Sequence, residues 1–224
     1  MASQYNTRKN FAHPLGYKNG PILGDRMSLT QFLKSRGFVT NPRACEKNDG
    51  YISPLQQEQF AEQLFLIPHI KKIAEIGFNG GHSAEHFFTH CKNLKIFASF
   101  DLNCYPLTKH AAEYFYQTYP NRFVFIPGDS LITIPELNQK FPKINFDLIY
   151  IDGCHRFEWA LGDILNTKKI AHENTILWID DLHMAPVAAA VKFCETLGHI
   201  QVTKTLHSND PLFGKRVWAQ ARVL

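Results

Sequence analysis

Short unbroken apolar runs alternate along the chain with longer stretches in which apolar residues recur every three or four positions. The first kind reads as buried strand and the second as amphipathic helix. The strands expected are 73–76, 96–100, 122–126, 146–151 and 175–179. Helix patterns lie between and after them. One follows a glycine-rich turn and carries Ala84, Phe87, Phe88 and Cys91 on one side. The others are 107–119, stopped before Pro120; 132–140, with Pro135 in its first turn; 155–171, with Phe157, Leu161, Ile164 and Leu165 inward; and 185–197, stopped by Gly198. Two last strand patterns, 200–206 and 215–223, flank a loop at 208–214. Strands joined through helices form parallel pairs, and strands joined by a loop form antiparallel ones. The expected fold is therefore α/β. Its sheet is doubly wound and mostly parallel, with an antiparallel strand pair at its C-terminal end.

Ahead of this alternation the pattern is weaker. Residues 1–26 are polar and rich in turn formers, among them Pro14, Gly16, Gly20, Pro21 and Gly24. Ser28 is placed to cap a short helix carrying Leu29, Phe32 and Leu33, ended by Gly37. Residues 38–54 return to loop. Ser53 then caps a second helix with Pro54 at its first position and Gln56 at the capping-box position. Phe60, Leu64, Phe65 and Ile67 give that helix its apolar face. The division expected is an N-terminal helical and irregular cap at 1–50 and a main domain at 51–224. Phe11, Tyr17, Phe32, Tyr51 and Phe60 read as cap packing rather than a stacking platform.

Composition narrows the classes without choosing among them. The 224 residues are 45% hydrophobic and 20% charged, with net charge +4, an ordinary globular balance. Lysine and arginine never run longer than two, so no nucleic-acid surface is expected. No apolar run approaches the roughly 20 residues of a membrane span. No secretory signal is visible at the N-terminus. Five scattered cysteines without a C-x-x-C pair point to a reducing compartment. A cytoplasmic protein is expected, and a homodimer is compatible with these features.

The first strand leads into Glu75-Ile76-Gly77-Phe78-Asn79-Gly80-Gly81-His82-Ser83. Strand, glycine turn and helix make a nucleotide-cofactor site, because the turn admits a ligand to the backbone and the helix start offers free N–H groups. A dinucleotide fingerprint wants glycines at relative positions 0, 2 and 5. Here Asn79 and His82 stand at the second and third of these. Asn79 still tolerates positive φ. The stretch from Glu75 to Gly81 instead resembles the first motif of class I S-adenosylmethionine-dependent methyltransferases, an acid followed by Gly-x-Gly-x-Gly, with Asn79 at the middle glycine. The resemblance implies a Rossmann-like sheet over roughly residues 52–224. It also implies a cofactor held by Glu75, Gly77, Phe78, Asn79, Gly81 and Ser83, with His82 nearby.

Each parallel strand also ends in or beside an acid: Glu75, Asp101, Asp129, Asp152 and the pair Asp180-Asp181. Ligands of open α/β sheets bind at that edge. Negative charge there repels a pyrophosphate and attracts a sulfonium or a divalent metal. Asp101, followed by Leu102, is placed either to accept ribose hydroxyls or to cap a helix. Asp129-Ser130 resembles the adenine-side motif of the same superfamily and also reads as a turn. The run Asp152-Gly153-Cys154-His155-Arg156-Phe157-Glu158, with Asp163 beyond it, resembles the Asp-Gly-x-His-x-Tyr-Glu segment of small-molecule methyltransferases related to catechol and caffeoyl-CoA O-methyltransferases, with Phe157 for Tyr. That resemblance implies Mg²⁺ or another divalent cation on Asp152, Asp180 and Asp181, with Asp181 where Asn is usual. His155, where the catechol enzyme has its lysine base, is the matching proton acceptor, with Asp152 as its catalytic partner. The plainer reading is that Asp180-Asp181 caps a helix and His155 starts one.

Together these features point to methyl transfer from S-adenosylmethionine to a small-molecule acceptor, at a hydroxyl oxygen, with residues 1–50 closing over the acceptor. Two other classes stay open on sequence alone: an NAD-type oxidoreductase, and a binding protein that keeps the fold without catalysis.

Overall fold

The computed structural model describes residues 27–38, 52–211 and 214–224. The expectations for residues 1–26 and for 39–51 of the expected loop, Phe11, Tyr17 and Tyr51 among them, lie outside them. The described elements run α1 (Leu29–Ser35), α2 (Pro54–Leu66), β1 (Lys72–Ile76), α3 (His82–His90), β2 (Ile96–Asp101), α4 (Pro106–Thr118), β3 (Phe123–Pro127), α5 (Ser130–Lys140), β4 (Phe146–Ile151), α6 (Phe157–Thr167), β5 (Ala171–Ile179), α7 (Ala185–Thr196), β6 (Ile200–Asp210) and β7 (Gly214–Val223). The strands make one sheet in the order β3-β2-β1-β4-β5-β7-β6. From β3 to β5 every pairing is parallel. β7 inserts antiparallel between β5 and β6. The doubly wound, mostly parallel sheet with an antiparallel C-terminal pair is the fold expected.

Successive strand residues point to opposite faces, and the sheet therefore carries two cores. Ile73, Phe97, Leu148, Tyr150, Trp178 and Trp218 share one core with α1 to α4. Ala74, Ala98, Ile149, Leu177 and Ala221 share the other with α5 to α7. The first core is aromatic. Phe60 of α2 sits at its centre, with ring centroids 4.7 Å from Trp218, 5.0 Å from Trp178 and 5.5 Å from Tyr150. Such pairs add about 0.5–1.5 kcal/mol each beyond the area they bury.

Both N-terminal helices begin where capping chemistry places them. Ser28 and Gln31 form a full capping box on α1. Leu29 and Leu33 are wholly buried. The Leu29 N–H donates to Glu85 Oε1 at 2.9 Å, and Arg36 pairs with Glu113 at 2.7 Å. α1 falls within the expected 1–50 cap, yet it is part of the same core as α4. Ser53 Oγ accepts the Gln56 N–H of α2, but the Gln56 side chain goes elsewhere.

Several sequence expectations shift. Phe65 is 83% exposed, because α2 buries Gln56, Phe60, Gln63 and Leu64 and the next residue turns away from that face. α6 is shorter than 155–171, and Leu165 lies outward while Asp163 is buried in its place. Residue 171 already belongs to β5, which pairs with Phe146 of β4. α5 starts at Ser130, so Pro135 stands in its second turn rather than its first. The closing strands extend to Asp210 and back from Gly214, consuming most of the expected loop.

Candidate active site

The parallel strands are tied together just past their last apolar residues. The Gly128 N–H donates to Asp101 O, Gly77 to Phe100 O, Asp152 to Ile76 O and Asp180 to Ile151 O. These four bonds hold the ends of the five parallel strands in a fixed order along one edge. The acid-bearing ends meet there as the sequence led us to expect.

The glycine turn adopts the conformations its residues allow. Gly77, Asn79 and Gly81 all have positive φ, at 96°, 44° and 78°. At Gly77 a Cβ would overlap the Asp152 carbonyl oxygen and lie 2.6 Å from its carbon. The turn and the Asp152 loop are thus in backbone contact. Gly81 is the N-cap of α3 without a side-chain cap, so the first N–H groups of that helix stay available to a ligand. Phe78 turns its ring inward between Phe115, Phe123 and Phe125. Asp101 Oδ2 accepts the Phe78 and Asn79 N–H groups at 2.9 and 3.0 Å, and Oδ1 accepts Asn103 N–H at 2.6 Å. Its carboxylate braces the turn, with lone pairs left over for hydroxyls. Leu102 next to it is 55% exposed.

Glu75 lies beneath the turn, wholly buried. The hydroxyls of Ser83 and Ser99 donate to it, the latter at 2.6 Å. Burial pushes its carboxyl up to about 8. The native state therefore keeps a proton that the unfolded chain releases near 4.5. Glu75 thus contributes most to stability below that pH, and the contribution is lost as pH rises from about 4.5 through 8. Glu75→Gln should melt increasingly above the parent protein as pH rises through that window and hold a constant difference beyond it. A melting difference that is flat from pH 5 to pH 9 would show that the carboxyl is charged in the fold.

Asp129 N-caps α5, accepting the Leu131 N–H at 2.9 Å. Ser130 Oγ donates to Asp163 Oδ1 at 2.5 Å, and burial pushes Asp163 up to about 7.

The acids after β4 and β5 divide their work. Asp180 points inward and is buried. Its Oδ2 accepts Gln56 Nε2–H at 2.5 Å and lies 2.7 Å from the Tyr150 hydroxyl, while Oδ1 accepts the Asp181 N–H. Burial pushes it up to about 8. Asp181 takes a left-handed backbone, φ 58°, which swings its carboxylate toward the edge. There Oδ2 lies 2.7 Å from His155 Nε2. Asp152 Oδ1 is 3.9 Å from the same nitrogen, so it acts on His155 mainly by charge. The carboxylates of Asp152 and Asp181 together push His155 up to about 10. Burial raises Asp181, but the His155 hydrogen bond and the nearby cations hold it below its ordinary value. Burial pushes Asp152 up to about 6. His155 precedes α6 rather than lying in its first turn.

Asp152, His155 and Asp181 each offer a donor atom, all within 4.8 Å of one another. This set differs from the expected Asp152, Asp180 and Asp181, because Gln56 and Tyr150 engage Asp180. Two carboxylates and an imidazole suit a borderline or hard divalent ion.

Four neighbours were not read from the sequence. Gln56 reads from the sequence as a capping-box residue, and Tyr150 falls within the buried strand pattern 146–151. Arg216 reaches 3.5 Å from Asp181 Oδ1 and 3.2 Å from His183 Nε2. The one signal was a polar residue on a buried face, which Gln56 supplied.

A family model of a methyltransferase domain matches residues 74–182. The O-methyltransferase of Bacillus cereus, solved with S-adenosylhomocysteine, superposes with TM-score 0.65 at 16% identity over 88% of this chain and 89% of that one. The O-methyltransferase TomG of Streptomyces achromogenes, involved in tomaymycin synthesis and solved with S-adenosylmethionine, gives 0.62 at 14% over 77% and 81%. A ribosomal protein L11 methylase of Lactobacillus delbrueckii gives 0.52 at 14% over 77% and 80%. No curated protein matches. At these identities the solved structures share the fold. No helix among the described residues is long and apolar enough to cross a membrane.

Proposed function

We propose that this chain, whose residues 74–182 match a methyltransferase-domain model and whose fold is shared with an O-methyltransferase solved with S-adenosylhomocysteine, transfers a methyl group from S-adenosylmethionine to a hydroxyl oxygen of a small-molecule acceptor. The observation that carries this reading is the His155–Asp181 pair, 2.7 Å apart, on the loop edge that contacts the Gly77 turn. The cofactor fits the residues present. The turn offers positive-φ backbone and free N–H groups, and the surrounding carboxylates suit a sulfonium. When bound, S-adenosylmethionine supplies an activated methyl group.

The chain's own residues do the rest. The Gly77–Gly81 turn and Asp101 hold and orient. His155 takes the acceptor's hydroxyl proton. Asp181 accepts from Nε2–H, which leaves the basic lone pair on Nδ1. Asp152 adds negative charge that stabilises the imidazolium once formed. Alignment can supply about 7–11 kcal/mol of the barrier, and the base a further ~10²–10⁴ in rate. A second version places a divalent cation on Asp152, His155 and Asp181, where it would bind and acidify the acceptor oxygen. The division into a cap at 1–50 and a main domain at 51–224 remains part of this reading, with acceptor choice assigned to the cap.

Calorimetry with S-adenosylhomocysteine, with and without Mg²⁺, tests the cofactor and the metal together. Tight binding of S-adenosylhomocysteine and none of NAD is expected, and absence of S-adenosylhomocysteine binding sinks the reading. Asp101→Ala should weaken that binding by about 1.5–3 kcal/mol, the value of hydrogen bonds to a charged group. Unchanged affinity would remove Asp101 from the cofactor site.

A further inference from the structure

α3 carries His86 and His90 one turn apart. Residues four apart on a helix are surface neighbours, and the His86 and His90 rings lie with centroids 4.2 Å apart, tilted by 34°. His86 Nε2 is buried and has no hydrogen-bond partner. On its other side the ring meets the edge of Phe60 at 6.2 Å, which offers nothing to accept or donate. A buried polar atom left so calls for a partner, either water or an ion. His90 is exposed and opens the pair to solvent.

We propose that His86 and His90 form a two-imidazole site for a transition-metal ion of the Zn²⁺, Cu²⁺ or Ni²⁺ class. Imidazole selects these ions over Mg²⁺ and Ca²⁺, which prefer oxygen. The helix already holds both rings on one face, and a turn of the His86 ring would bring its nitrogen to the side that the exposed His90 opens to solvent. Two donors come from the chain and the remaining positions go to solvent. Burial and the neighbouring His90 pull His86 down to about 4, which keeps its ring in the neutral form a metal needs. The site is separate from the one assigned to methyl transfer, and its existence does not depend on that reading.

The test is calorimetric titration with Zn²⁺ of the whole protein carrying His155→Ala, which removes the imidazole from the Asp152, His155 and Asp181 set and serves as the parent here, with excess Mg²⁺ on the carboxylates that remain. One Zn²⁺ equivalent is expected. In His90→Ala, a change at an exposed position, the affinity should fall more than about tenfold, since even the loss of an outer partner of a metal ligand costs about that much. Cu²⁺ loaded in place of Zn²⁺ should show coupling to two imidazole nitrogens by electron paramagnetic resonance, reduced to one in the variant. A parent protein that binds no Zn²⁺ under these conditions overturns the site. So does a His90→Ala variant that binds it unchanged, or a Cu²⁺ spectrum that is the same in both.

Discussion

Gly77→Ala should lose S-adenosylhomocysteine binding and about 3 kcal/mol or more of stability, read from the denaturant midpoint. Two penalties combine. A non-glycine residue at φ 96° meets a backbone cost of roughly 1–2 kcal/mol. The added methyl also overlaps the Asp152 carbonyl, and overpacking costs about 1–3 kcal/mol. The obstacle is backbone, held by the Asp152 N–H bond to Ile76 O, so it cannot swing aside as a side chain would. Gly198→Ala separates the two effects. Its φ is 70°, but its Cβ would meet nothing within 4 Å, so only the backbone cost of roughly 1–2 kcal/mol should appear. Equal losses at the two positions would show that the turn and the Asp152 loop are not in contact.

Asp181→Asn should cost turnover about 10²–10⁴-fold, the range of general-base catalysis, while S-adenosylhomocysteine still binds. The parent protein's kcat/KM should climb with pH toward about 10, because the Asp152 and Asp181 carboxylates hold His155 in its charged form up to there. Loss of the Asp181 charge removes part of that hold, so in the variant the limb should move to lower pH as the rate falls. Thorough chelation decides the metal question in the same assay. Turnover that survives it leaves His155 and Asp181 to carry the proton transfer alone. An Asp181→Asn variant with parental turnover and an unmoved limb would take Asp181 out of the mechanism.

Much of this arrangement was legible before any coordinates. Period decided the strands and helices. The glycine turn and its Asn79 were readable because few residues accept positive φ, and the acids were readable because parallel strands deliver their ends to one edge. The choice between Asp180 and Asp181 was not readable. Adjacent residues past a strand end can turn either way, and the outcome depends on Gln56, which is 124 positions away in the chain. Tyr150 was hidden for a related reason: its ring is core, and only its hydroxyl reaches Asp180. Leu165 was misplaced because α6 buries the carboxyl of Asp163 where an apolar side chain was expected. Phe65 was misplaced because an apolar residue beside a stripe is not thereby part of it.

The order of strands has a consequence for biosynthesis. β5 is translated before β6, yet the two do not pair; β7, made after both, comes between them. While β6 leaves the ribosome, the flank of β5 shows unsatisfied N–H and C=O groups, and Phe60 lacks Trp218. Nascent chains with a bare, apolar strand flank are prone to self-association and to capture by chaperones. The interval before β7 is made begins only after residues 74–179 are complete. A ribosome stalled between β6 and β7 would therefore display a near-finished domain whose vulnerability is confined to one side of the sheet.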